Sequence, residues 1–250
     1  MNLLAVERIK LFSTRSPWWS MLAALVLMLG MSTLFAAVLE PGALEVAATQ
    51  VGYDLALMVV MVMATLAVTT EYRFNTIKVS FQATPRRSAV LLAKTVVVAV
   101  LAGLLGEIAA FGSWGLARLV RPEADLRIDT AAEWRQVAGV GLVWALGAVL
   151  AVAVGALLRQ TAGAVTLLLV YALLVESLVG LIPKVGQNIR RWLPFTHANH
   201  FVRGGGQPAE GGQENALSLP FGPWGSLAYF AGVVLVILVL ALVTVNRRDA

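Results

Sequence analysis

Apolar residues in this chain neither alternate nor recur as narrow stripes. They come in long, nearly uninterrupted blocks separated by short polar stretches, over about residues 18–39, 54–70, 89–119, 137–158, 161–182 and 224–245. Blocks of this length match the roughly 20 apolar residues that a helix needs to cross a bilayer core. The third is longer than a bilayer requires and is expected to tilt or project. The first follows a basic segment, but the apolar core of a signal peptide is only about 7–15 residues long, so it reads as a retained span. The pattern predicts an all-α polytopic membrane protein, with six transmembrane helices in a single transmembrane domain over 1–250.

Two shorter patterns sit outside the blocks. Ala5, Ile9 and Phe12 align at helical spacing, with Glu7, Lys10 and Thr14 elsewhere on the turn. This predicts an interfacial helix with its apolar stripe in the membrane surface and its bases toward headgroups. Between the second and third spans, Phe74, Ile77 and Phe81 fall at i, i+3 and i+7, ahead of a stop at Pro85. That predicts a short helix, which can lie on the leaflet or insert its apolar face into a groove on a soluble partner.

Composition narrows the picture further. The chain is 59% hydrophobic and only 13% charged, against about 25% charged residues in soluble domains. A soluble fold and a disordered chain are both excluded. The net charge of +5 comes from bases lying mostly between the apolar blocks, so they read as topology signals and headgroup contacts rather than a nucleic-acid surface. With the N-terminus inside, 11 bases fall on internal segments and 8 on external ones, which favours cytoplasmic termini. There is no cysteine, so disulfides, thiolate metal sites and cysteine nucleophiles are absent.

Few residues offer chemistry. Glu107 and Glu176 lie inside apolar blocks, where an ionised group is expensive and a functional role is the first hypothesis. Each would sit about 23–27 Å along its helix. They are candidates to pair through a shared proton, to meet Arg118 or Arg121, or to line a substrate pathway; a local structural partner is the plainer alternative. His197 and His200 stand three apart but lack a third ligand, so no metal is expected and an interfacial polar role fits better. Gly139, Gly147, Ala151 and Gly155 form a small-residue face on the fourth span, suited to close helix packing within the chain or between subunits. No Gly-Lys pair exists for a phosphate-cradling loop, and no hydrolase signature appears.

Glu71-Tyr72-Arg73, then Thr76-Ile77, Thr84-Pro85-Arg86-Arg87 and Ala93-Lys94 form a pattern that resembles the segment after the second span of ABC-2 type transporter permeases. Glu7, Lys10 and Ser13 to Trp19 (Ser-x-x-Ser-Pro-Trp-Trp), and Trp192-Leu193-Pro194-Phe195, are also similar to that family. The resemblance implies a coupling helix that touches a cytoplasmic ATP-binding subunit, with Glu71, Tyr72, Arg73, Phe74, Ile77 and Phe81 as docking residues. It implies a partly re-entrant external region within Pro183–Pro223 before the last span, and a second permease copy or paralogue. ATP and Mg would be held by the partner subunit, with no cofactor on this chain, in the bacterial inner membrane. The expected function is then an exporter permease for an amphiphile such as a drug, a lipid or a peptide antibiotic. A membrane-embedded lipid-modifying enzyme, which needs Glu107, Glu176, His197 and His200 to converge, and a non-catalytic assembly factor are the alternatives.

Overall fold

The computed structural model describes residues 3–77, 87–183, 185–204 and 219–247. Among them the chain is helical with no strand, and six helices are long and apolar enough to cross a membrane. A short helix α1 (Leu3–Phe12) precedes the first span, α2 (Ser16–Val38). Two 3-10 turns, Pro41–Ala43 and Val46–Gln50, lead into α3 (Tyr53–Arg73). The other spans are α4 (Arg87–Val120), α5 (Ala131–Leu158), α6 (Thr161–Val179) and α9 (Pro223–Arg247). Between the last two lie α7 (Gly186–Arg190) and α8 (Pro194–Arg203). The glycine-rich stretch around Pro208 lies outside the described residues.

α5 is the central helix: 72% of its most apolar stretch is buried inside the protein, against 17% for α6 and 22% for α2. Its small residues explain how. A Cβ on Gly139 would lie 2.7 Å from the Phe201 ring, one on Gly147 2.7 Å from Leu57 Cδ1, and one on Gly155 2.7 Å from Val68 Cγ1. Ala151, on the same face, is fully buried. The face predicted for helix packing is therefore filled by α3 and α8 of the same chain. On the α4 side, Gly106 approaches so closely that its Cβ would sit 2.9 Å from the Gly141 Cα. With no directional hydrophobic pull between helices in lipid, backbone approach of this kind supplies the van der Waals contact that holds them together.

The ends of α5 have local causes. It begins at Ala131, ahead of the expected 137, because Thr130 and Glu133 form a capping box. The Thr130 hydroxyl accepts from the Glu133 amide at 3.2 Å, and the Glu133 carboxylate accepts from the amides of Thr130 and Asp129 at 2.8 and 2.9 Å. It ends at Arg159, which takes the left-handed conformation (φ 54°) and lays its guanidinium over the Tyr72 ring. α6 contains a π-helical stretch, Tyr171–Val175, and ends at Val179 rather than near 182.

The α4–α5 contact gives a direct test. Gly106→Ala should lower stability by about 1–3 kcal/mol, the usual cost of overpacking, because the added methyl meets backbone. Gly232→Ala, where a Cβ meets nothing within 4 Å, should be neutral. Thermal unfolding in mild detergent distinguishes them; equal melting points would mean the two backbones are not in contact.

Candidate functional site

Lys94 stands seven residues inside α4, about 10 Å from its start, and is nearly buried. An ammonium at that depth needs a counter-charge. It receives two. Its Nζ donates to Glu7 Oε2 at 2.5 Å and to Glu71 Oε1 at 2.9 Å. Lys10 closes the ring, 2.8 Å from Glu7 Oε1 and 3.4 Å from Glu71 Oε1. Two carboxylates and two ammonium groups thus alternate, and their charges cancel. Glu7 and Lys10 lie on one face of α1, Glu71 on the last turn of α3, and Lys94 in α4, so three elements that are far apart in sequence are pinned at one point.

The cluster decides how α1 lies. Glu7 and Leu11 face the bundle, while Ala5 and Ile9 are exposed. Two of the three stripe residues are thus on the outside of the protein, while Phe12 is half-buried with its ring 5.2 Å from that of Trp18, and the side toward the bundle is set by a buried carboxylate. Burial by itself would push the Glu7 carboxyl up, but Lys94 and Lys10 outweigh it and hold the group below its ordinary value of 4.5. Burial likewise opposes the Lys10 charge, and the bond it donates to Glu7, with the field of Glu71, reverses that, raising it above 10.5.

The predicted docking residues separate into two sets. Glu71 is spent on the ion cluster, Tyr72 lies under Arg159 and Ile77 is buried. Arg73 and Phe74 are exposed, with the Arg73 guanidinium 5.4 Å from the Phe74 ring centroid. Phe74 and Ile77 do not share one helix face: Phe74 caps α3, and Asn75 at φ 57° turns the chain before Ile77. Phe81 and Pro85 lie outside the described residues.

Glu107 and Glu176 do not meet. The Glu176 carboxylate accepts from the amides of Phe195 and Thr196, at 2.9 and 2.7 Å, and from the Thr196 hydroxyl at 3.0 Å. Its oxygens thus satisfy amides at the N-terminal end of α8. Glu107 lies against Gly141, whose missing side chain leaves the room its carboxyl occupies. Arg118 sits over Trp114, and Arg121 donates to the carbonyls of Ala36 and Ala37.

His197 and His200 converge on the Ser226 hydroxyl, at 3.0 and 2.9 Å, and burial lowers the pKa of both rings. Among the described residues no group of three or more His, Cys, Asp or Glu could hold a metal ion. At the same end of the bundle, Arg203 of α8 pairs with Asp54 at 2.8 Å, and the Tyr53 hydroxyl donates to Asn199 at 2.7 Å. Arg135 donates to the carbonyl of Phe201. α8 is therefore part of the packed bundle, bound to α3, α5, α6 and α9.

The sequence places Glu7 and Lys10 on the polar side of an interfacial helix and Lys94 in the family-like block, without bringing the three together. The available signal was a lone lysine inside an apolar block, together with Glu and Lys three apart on the preceding amphipathic helix.

Removing one member of a buried pair typically costs about 3–5 kcal/mol, because the other charge is left uncompensated. Lys94→Met should therefore destabilise severely, and adding Glu7→Gln should recover a measurable part of the loss in detergent melts. The pH profile follows from the same groups. Glu7, held low, contributes stability that is complete above 4.5 and is lost as pH falls through its lower folded value. Lys10, held high, contributes stability that is complete below 10.5 and is lost as pH rises through its higher folded value. His197 and His200, both lowered by burial, add their own loss of stability below 6.5, so the pairing is read from the Glu7→Gln chain: an acid limb identical to that of the unsubstituted chain would contradict it.

No protein-family model matches the chain, and no curated protein matches it.

Proposed function

We propose that this chain is the membrane-spanning permease subunit of an ATP-driven exporter of the ABC-2 type, moving an amphiphilic substrate outward with ATP hydrolysed on a separate subunit. The observation that carries the reading is the ion cluster. Its four members come from separate pieces of the family resemblance: Glu7 and Lys10 from the opening segment, Glu71 and Lys94 from the block after the second span. A cluster at the base of that loop ties the loop to α1, α3 and α4 together. A push on the exposed Arg73–Phe74 corner would then reach three elements at once instead of bending one.

In this reading the loop faces the cytoplasm, as do both termini, in a bacterial inner membrane. The bias of 11 bases against 8 supports that orientation. ATP and Mg sit on the partner, and a second permease copy or paralogue completes the route. The alternative of a lipid-modifying enzyme is weaker, because Glu176 and the two histidines are occupied by bonds around α8 while Glu107 lies apart against α5.

Purification of the tagged chain in mild detergent should bring down a soluble protein bearing a Walker A motif, with ATPase activity. Phe74→Asp should cut the recovered ATPase at least tenfold while the permease itself still folds, as judged by its melting temperature. A chain that purifies alone even after gentle crosslinking, or an unaffected complex with Phe74→Asp, would overturn the coupling role.

A further inference from the structure

Between α1, α2, α3 and α4 opens a cavity of about 640 Å³, within the size range of ligand sites. One end of it is the ion cluster. Beyond Thr70, the far wall is Met63, Leu66 and Ala67 from α3, and Val97 and Val98 from α4. From Glu71 to Met63 that wall runs eight residues along the helix, about 12 Å. Because the cavity is built from the ends of spans, it extends from the membrane boundary into the apolar layer.

Three observations describe what would fill it. The second carboxylate oxygen of Glu71, Oε2, is buried and has no hydrogen-bond partner among the described residues. A buried acceptor left bare is costly, and a carboxylate oxygen is best served by a charged N–H donor. Ser16 and Pro17, which open α2, line the cavity. That helix start has no side-chain cap, so its free amide and the positive end of its dipole suit an anion, with Lys10 at the same rim. Beyond Thr70 the wall from α3 and α4 is apolar and suits a hydrocarbon chain. Cationic donor, anion and hydrocarbon, in that arrangement at a membrane boundary, describe an amine-headed phospholipid.

We propose that this cavity binds one phosphatidylethanolamine-type lipid. On binding, the Glu71 carboxylate turns its unpaired Oε2 from the wall toward the ammonium, the phosphate lies over the first turn of α2 beside Lys10, and the acyl chain runs along Leu66, Ala67 and Val97. The site needs no ATPase partner, so its test is independent of the exporter reading.

The test is a headgroup series on the intact chain. The protein is delipidated in detergent, offered phosphatidylethanolamine, its N-monomethyl and N-dimethyl forms, phosphatidylcholine and phosphatidylglycerol in equal amounts, and read by native mass spectrometry. One lipid per chain is expected, with at least tenfold preference for phosphatidylethanolamine over phosphatidylcholine, whose trimethylammonium has no N–H. Ala67→Trp fills the wall without touching a charge and should abolish retention. Glu71→Gln should reduce the preference to near unity. Equal retention of all headgroups by the wild-type chain, or undiminished binding by Ala67→Trp, overturns the proposal.

Discussion

A lysine two turns inside a bilayer-length helix has to be neutralised from within the protein, because neither lipid tails nor distant water can do it. Lys94 imposes that requirement, and much of one end of the molecule is arranged to meet it. α3 must end with Glu71 beside Lys94, and α1 must fold back to bring Glu7 into contact. Ala5 and Ile9 of α1 are then left outward, where a membrane surface can take them up. The placement of the N-terminal helix is thus a consequence of electrostatics more than of hydrophobic burial.

The opposite end of the bundle is held by shorter-range devices. α8 begins on the Glu176 carboxylate, is fixed by His197 and His200 through Ser226, and finishes with Arg203 on Asp54. Each contact joins α8 to a different span. Gly204, at φ +75°, lets the chain leave the helix while Arg135 stays close: a Cβ there would sit 2.8 Å from its Nη2. The two ends differ in kind, a four-charge ring at one and a set of neutral or singly paired contacts at the other.

The six spans were legible because hydropathy blocks register a requirement that every residue of a span shares. The small-residue face of α5 was legible as a packing face, though not its partners, since Phe201, Leu57 and Val68 reach it from helices that only the fold brings near. The early start of α5 had a sequence signal in Thr130-x-x-Glu133, hidden because that stretch is polar and lies outside the apolar block. The ion cluster was invisible as a cluster: its members are separated by up to 87 positions, and no local rule pairs residues at that range. The reading of Phe74 and Ile77 as one stripe missed that Asn75 would leave the helical conformation, which spacing alone does not encode.

The π-helical stretch in α6 has a further consequence for the gene as much as for the protein. Each residue of an ordinary helix turns the chain by about 100°, so one residue more or fewer between Val170 and Glu176 would swing the carboxylate away from the start of α8. The wide turn at Tyr171–Val175 absorbs an extra residue while keeping Glu176 on the inward side. The count of codons there is therefore constrained even where the identity of each lipid-facing side chain is not. Point substitutions at Leu173 or Leu174, both exposed, leave that phase untouched, whereas a single-codon deletion rotates everything that follows it.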